Sequence, residues 1–316
     1  MMRVGINLIN FGPSATPEAL AGWAEMAERL GYHSLLTSDH IAVTRDVSER
    51  YPAPFYEPLT TLGWLAGITE RVSLGTTVTI LPYRNPLETA RAFANLDQLS
   101  GGRIIFGIGI GWAEEEFAAL NVAFRRRGAM TDEYLELVTR HWREPSLTFD
   151  GEFVSCAGVD TAPRPKQERV PLWVGGSSAA AFRRTAQYGT GWHPIRVRAS
   201  WLVDRGVPQL TEAAERAGVE RPDICPRILL HPTPQPVTDD NRFLGHGTFG
   251  QIAEDLAFLE GIGCAHVILD SYSPFDDSPF ASALSMADPA VAVSEVQEQY
   301  EHLAVEILDL ENETLR

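Results

Sequence analysis

Apolar residues follow two rhythms that alternate along this chain. Short runs such as residues 104–108 are apolar on both faces, the pattern of a parallel strand covered by helices on either side. Longer stretches repeat apolar residues every three or four positions. Thr16-Pro17-Glu18 supplies an N-cap, a proline at the first helical position and an early carboxylate, after which Leu20, Trp23, Ala27 and Leu30 recur before Gly31. Read this way, strands are predicted at residues 3–8, 34–37, 72–80, 104–108, 171–174, 191–194, 227–231 and 266–269. Helices are predicted at 17–30, 59–69, 86–99, from the glycine loop to about 142, and at 178–188, 200–217, 249–261 and 291–308. Strict alternation implies a parallel sheet with right-handed crossovers, and eight βα units closing on themselves give a (β/α)8 TIM barrel. An open doubly wound sheet would need a topological switch point that the sequence does not show.

Three stretches exceed a minimal barrel. Residues 41–58 are rich in turn formers and aromatics, 149–169 read as a hairpin around Asp150-Gly151 with a proline-rich loop, and 232–247 are rich in proline and glycine. All three are expected as insertions near the carboxyl ends of the strands, where long loops form lids.

At 316 residues, a single domain covering 1–316 accommodates such a barrel, which needs about 250 residues plus insertions. The formal charge of −16 argues against nucleic acid or an anionic membrane as a partner, because phosphate binding needs clustered cations. Arg125-Arg126-Arg127 is the basic run, and it reads as a solvated turn. Cys156, Cys225 and Cys264 are odd in number and far apart, so neither a disulfide framework nor a zinc knuckle is suggested. With no signal-like start and no apolar window of about 18 residues, a cytoplasmic location is expected.

In a barrel, chemistry is carried just past the strand ends. Asn7 and Asn10 follow the first predicted strand, Asp39-His40 the second, Gly109 to Trp112 the fourth and Gly175-Gly176-Ser177 the fifth. Thr76-Thr77-Val78 lies in the third, and His193, His231 and Asp270 complete the ring. His40 can serve as acid, base or charge stabiliser near neutral pH, with Asp39 supporting it only if the two side chains meet. Gly107, Gly109 and Gly111 alternate as G-x-G-x-G and stop at Trp112, so they do not form the dinucleotide fingerprint G-x-G-x-x-G. Such glycines let backbone approach another group closely. Gly175-Gly176-Ser177-Ser178 leads into a helix N-terminus, where free N–H groups and the helix dipole favour an anion. A metal-dependent hydrolase built on Asp39, His40, His193, His231 and Asp270 would begin with a His-x-His that the first strand lacks.

Thr37 to His40, Leu74 to Val78, Leu96 to Trp112 and Pro171 to Ser177, in this order and spacing, resemble the bacterial luciferase-like family of flavin-dependent oxidoreductases. Arg183 to Ala186 and Gly189 to Trp192 extend the resemblance over nearly the whole chain. Ser38-Asp39-His40 is most similar to the branch that uses the 5-deazaflavin coenzyme F420. The resemblance implies a non-proline cis peptide at Thr77-Val78 behind the ring, with Gly109, Ile110, Gly111 and Trp112 beside it. It places Gly175, Gly176 and Ser177 near the ribityl chain and phosphate, and Asp39 and His40 at the reacting ring. It further implies a small-molecule substrate, a homodimer, and a separate flavin or F420 reductase that supplies reduced cofactor. The alternatives are a two-component monooxygenase using flavin mononucleotide (FMN) and a non-catalytic flavin-binding protein. One departure stands out: sugar-phosphate dehydrogenases of the family carry a glutamate where this chain has Trp112, which disfavours sugar-phosphate oxidation. Glu114 and Glu115 lie close by in sequence. Of the aromatic residues Trp64, Tyr83, Trp112 and Trp192, each is a candidate for an apolar pocket or for the core.

Overall fold

The computed structural model describes residues 2–272 and 289–315. Eight parallel strands form a closed ring: β1 (Arg3–Leu8), β2 (Ser34–Thr37), β3 (Ser73–Thr76, resuming at Thr79–Ile80), β4 (Ile104–Gly109), β5 (Leu172–Gly175), β6 (Gly191–His193), β7 (Asp223–Ile224 and Arg227–Leu229) and β8 (His266–Asp270). Each pairs with its sequence neighbours, and β8 pairs with β1 through Arg3↔His266 to Ile6↔Leu269. The seventh strand is interrupted at Pro226, which has no N–H to give. Its first half lies against β6 and its second against β8, and the parallel bridge Ile195↔Arg227 completes the seam. The expected (β/α)8 barrel is therefore the observed fold.

Among the described residues the helices of six residues or more are α1 (Pro17–Leu30), α2 (Pro58–Ile68), α3 (Pro86–Leu99), α4 (Glu114–Ala119), α5 (Arg127–Arg143), α6 (Ala179–Tyr188), α7 (Val207–Ala217), α8 (Phe249–Gly261) and α9 (Pro289–Glu306). Local sequence sets their ends. Thr16 accepts a hydrogen bond from the Ala19 N–H at the start of α1, Gly31 closes that helix at φ 87°, and Thr248 with Gln251 forms a capping box on α8. The main core lies between strands and helices. A second, smaller cluster of Leu36, Ile105, Trp173, Cys225 and Ile268 fills the barrel interior.

Two of the three insertions behave differently from a lid. The hairpin Ser146–Asp150/Ser155–Asp160 lies on the outer helices and not over the mouth. Phe149 packs among Leu87, Leu137 and Leu147, and Glu133 of α5 accepts the N–H groups of residues 152–154. The chain enters this hairpin from the C-terminal end of α5, so it starts at the amino end of the barrel and folds back along the outside. Residues 232–247 do follow a strand end, but they pack beside it: Leu244 bonds Val197, and Asp255 of α8 takes Arg242 and the Gly245 N–H. Only the 41–58 segment reaches over the mouth. It is pinned there by Asn10, which exchanges hydrogen bonds with Ser38 and Tyr56, and by the ring of Phe55 against Phe11.

Candidate active site

A cavity of about 380 Å³ opens at the carboxyl end of the barrel. Its floor is the break in β3, where the Thr77–Val78 peptide is cis. The Thr77 N–H donates to Thr37 O, and its carbonyl accepts from Arg227 Nη1 at 2.9 Å. Buried Arg227 is itself tied to Asp270 at 2.7 and 2.8 Å, and Asp270 also takes Asn7 Nδ2 at 2.7 Å. Three strands thus meet on one carbonyl.

His193 completes this support. Its Nδ1 lies 2.5 Å from the Cys225 carbonyl, which can only accept, so Nδ1 carries the proton and Nε2 takes the Thr77 hydroxyl at 2.8 Å. Burial holds its pKa down to about 4, which keeps the ring neutral.

The alternating glycines face this floor. A Cβ on Gly109 would stand 2.6 Å from Val78 Cγ2, and one on Gly111, at φ 78°, would meet Ile80 Cγ2 at 2.7 Å. The strand must therefore be bare for Val78 to sit where it does. Gly109→Ala is expected to cost about 1–3 kcal/mol by overpacking, read as a lower urea midpoint. It should also weaken whatever lies on Val78.

His40 stands in the wall opposite, and the group that holds it is Glu116, not Asp39. Fully buried Glu116 takes His40 Nδ1 at 2.5 Å and the Tyr83 hydroxyl at 2.9 Å on Oε2, with the N–H groups of Ile41 and Ala42 at 2.6 and 3.0 Å on Oε1. Four donors match the four lone-pair sites of an ionised carboxylate. The other ring nitrogen of His40 has no protein partner among the described residues, and His40 lines the cavity. Asp39 turns the other way: it forms a bidentate pair with Arg84 at 2.7 and 2.8 Å and accepts the Ile80 N–H. Burial opposes charge on Arg84, yet the hydrogen bonds and charges of Asp39 and Glu57 raise its pKa. Asp39 thus lines the same cavity as His40 without meeting its ring, and its carboxylate fixes the strand end at Ile80.

Of the other expected cofactor contacts, Thr77, Val78, Gly109, Ile110, Gly111, Trp112, Gly175 and Gly176 line this one cavity. Ser177 does not; it lines an adjoining hollow of about 250 Å³ that shares Gly176, Ile195 and Arg196 with the main one. Asn7 and Asn10 are scaffolding, and His231 stacks on His246 outside the cavity. Of the aromatic candidates only Trp112 is in the wall. Trp64 faces solvent, Tyr83 lies beneath His40, and Trp192 is core, its indole donating to Gly176 O. Glu114 and Glu115 are exposed, and Arg126 and Arg127 pair with Glu152 and the Gly111 carbonyl. Among the described residues no cluster suited to a metal ion occurs, and no helix is long and apolar enough to cross a membrane.

The sequence profile of luciferase-like monooxygenases matches residues 2–263. The chain belongs to that family. Among curated luciferase-like relatives, an F420-dependent glucose-6-phosphate dehydrogenase of Intrasporangium calvum is 33% identical over 71% of this chain and 67% of its own length. The corresponding enzyme of Kineococcus radiotolerans is 36% identical over 64% of this chain and 60% of its length. An uncharacterized protein of Mycobacterium tuberculosis is 30% identical over 60% and 71%. In fold, this luciferase-like barrel is similar to an F420-dependent secondary alcohol dehydrogenase, with a TM-score of 0.74 at 18% identity over 94% of this chain and 97% of that one. It is also similar to the FMN-bound oxygenating component of 3,6-diketocamphane monooxygenase of Pseudomonas putida, with a TM-score of 0.71 at 15% identity over 97% and 99%.

Proposed function

We propose that this chain is an F420-dependent oxidoreductase that moves a hydride between the coenzyme and a small organic molecule held beneath the 41–58 segment. The observation that carries this reading is the meeting, in one cavity, of the bare-glycine floor around Val78 and a buried histidine with one ring nitrogen that has no partner among the described residues. F420 is favoured over FMN by the F420-dependent curated relatives.

The residues fit such a group. A flat tricyclic ring needs an apolar bed and backbone without side chains, which Val78, Gly109, Gly175 and Gly176 offer. The chain running from the ring needs donors for its phosphate, and α6 begins just past Gly176-Ser177, with Ser178 as its cap. Bound there, the coenzyme would supply a hydride donor or acceptor carbon. Thr77, Val78, Gly109, Ile110, Gly111 and Trp112 would hold its ring, with Gly175, Gly176 and Ser177 toward the phosphate.

The chain's own residues handle charge and protons. Glu116 accepts from Nδ1, so His40 offers Nε2 to the cavity as the atom that takes or returns a proton as hydride moves. Tyr83, whose pKa is pushed up by burial and by Glu116, keeps its proton and donates a hydrogen bond to that carboxylate. Trp112, Tyr51 and Phe55 shield the ring of His40 from water.

Titration of the purified chain with oxidised F420, reduced F420 and FMN, followed by coenzyme fluorescence, tests the reading. Binding of F420 at least about ten-fold tighter than FMN, a gap of about 1.4 kcal/mol, is expected. Equal or tighter binding of FMN would overturn it in favour of a flavin monooxygenase, and binding without turnover across a panel of carbonyl and alcohol substrates would favour a non-catalytic binder.

A further inference from the structure

The outer wall of the cavity carries a cation that the oxidoreductase chemistry above does not use. Arg50 lies at the mouth with its guanidinium 4.3 Å over the indole of Trp112. Its neighbour Tyr51 packs 5.3 Å from the ring of His40 and 5.7 Å from Tyr272. The backbone here is anchored: the N–H groups of Arg50 and Tyr51 both donate to Val47 O, and the Tyr272 hydroxyl donates to the Arg50 carbonyl. Trp112 keeps 36% of its surface exposed and stands edge-on to His40 at 5.8 Å.

Charge bookkeeping around the cavity is one-sided. The two carboxylates in its wall are already engaged, Asp39 by Arg84 and Asp270 by Arg227 and Asn7. Arg50 has no carboxylate partner among the described residues, although acidic residues outnumber lysines and arginines 42 to 26 in this chain. A cation at an apolar mouth, stacked on an aromatic plane, presents the edge of its guanidinium fork to whatever enters.

We infer that the substrate is a planar organic monocarboxylate: its flat carbon skeleton lies in the cavity against the aromatic wall that Tyr51 and Trp112 form beside His40, and its carboxylate is held by Arg50. The inference rests on the oxidoreductase reading for its chemistry but not for its binding geometry. Arg50 is one of three arginines that line the cavity, with Arg196 and the Asp270-bound Arg227; its guanidinium suits a carboxylate, which it can meet with two parallel N–H bonds, and offers little to a sugar, whose hydroxyls need several polar partners.

The test uses the full chain with and without oxidised F420, with binding followed by tryptophan fluorescence and calorimetry. The probes are cinnamate, its uncharged amide, octanoate as a flexible anion, and glucose 6-phosphate. Cinnamate should bind at least about ten-fold tighter than the other three. Arg50→Gln should bring cinnamate down to the level of the amide, and Arg50→Lys, which keeps charge but not the flat fork, should restore part of the difference. Equal binding of cinnamate and its amide, no binding of either, or an unchanged preference in Arg50→Gln would overturn the inference. Octanoate equal to cinnamate would overturn its planar component. F420 affinity, measured in the same samples, separates the two readings: lost F420 binding with the cinnamate preference intact sinks the coenzyme and leaves this inference standing, and the reverse result sinks only this one.

Discussion

His40→Ala is expected to lower F420 turnover by about 10²–10⁴-fold, the range for removing a general acid or base, with coenzyme affinity nearly unchanged. The expectation follows from where the ring sits. It lines the cavity, its Nδ1 is spent on Glu116, and its rim contacts are the rings of Tyr51, Phe55 and Trp112, so it is the one imidazole at this end of the cavity among the described residues. Glu116→Gln should reduce turnover as well, because an amide cannot accept from all four donors that now converge on the carboxylate. The two should not be additive. If Glu116 acts by orienting His40, then Glu116→Gln placed on His40→Ala costs little further rate, whereas independent roles would multiply. Single-turnover reoxidation of reduced F420 in the four proteins measures this. Full activity in His40→Ala with coenzyme bound normally would remove the histidine from the chemistry.

Acid should unfold this protein well above the usual carboxylate range. Burial holds His193 at about 4, His33 at about 4 and His266 at about 3, and the mutual proximity of His33 and His266, 5.1 Å apart, adds to the last. All three are depressed below the ordinary value of 6.5, so the unfolded chain takes up these protons first. Stability is complete above about pH 6.5 and is lost as the pH falls from there toward 4. For His193, fully enclosed in the barrel, the loss amounts to roughly 3 kcal/mol at 1.36 kcal/mol per unit. Urea midpoints taken from pH 7.5 to pH 4.5 should fall steadily through this window. His266→Gln should flatten the slope, and a flat profile in the natural chain would show that these rings are charged or solvated when folded.

The barrel was legible because parallel strands buried on both faces leave apolar runs that no other segment imitates, as at residues 104–108. Glycine alternation at 107–111 was equally plain, though not its reason, since Val78 is thirty residues away in sequence and adjacent only once β3 and β4 pair. Glu116 was hidden among three consecutive glutamates. At a helix start such a run reads as favourable charge on the dipole, and only the phase that buries Phe117 turns Glu116 inward as well. Arg227 opens a strand segment and looks like an edge residue, yet it points into the barrel to reach Asp270, 43 residues on. Whether Asp39 would meet His40 was left open by the sequence, because neighbours usually diverge, and its partner, Arg84, lies one strand over. The hairpin at 146–160 announced its turn but not the direction in which it would fold.

A floor strand that tolerates no Cβ is also a part of the molecule that mutation cannot easily rewrite. New selectivity has to be sought on the facing side, where Arg50 and Trp112 are exposed and Tyr51 is half-buried at the mouth. A randomised library restricted to those three positions should yield folded variants with altered ligand ranges far more often than one aimed at 107, 109 and 111, making this barrel a scaffold with one fixed jaw and one adjustable one.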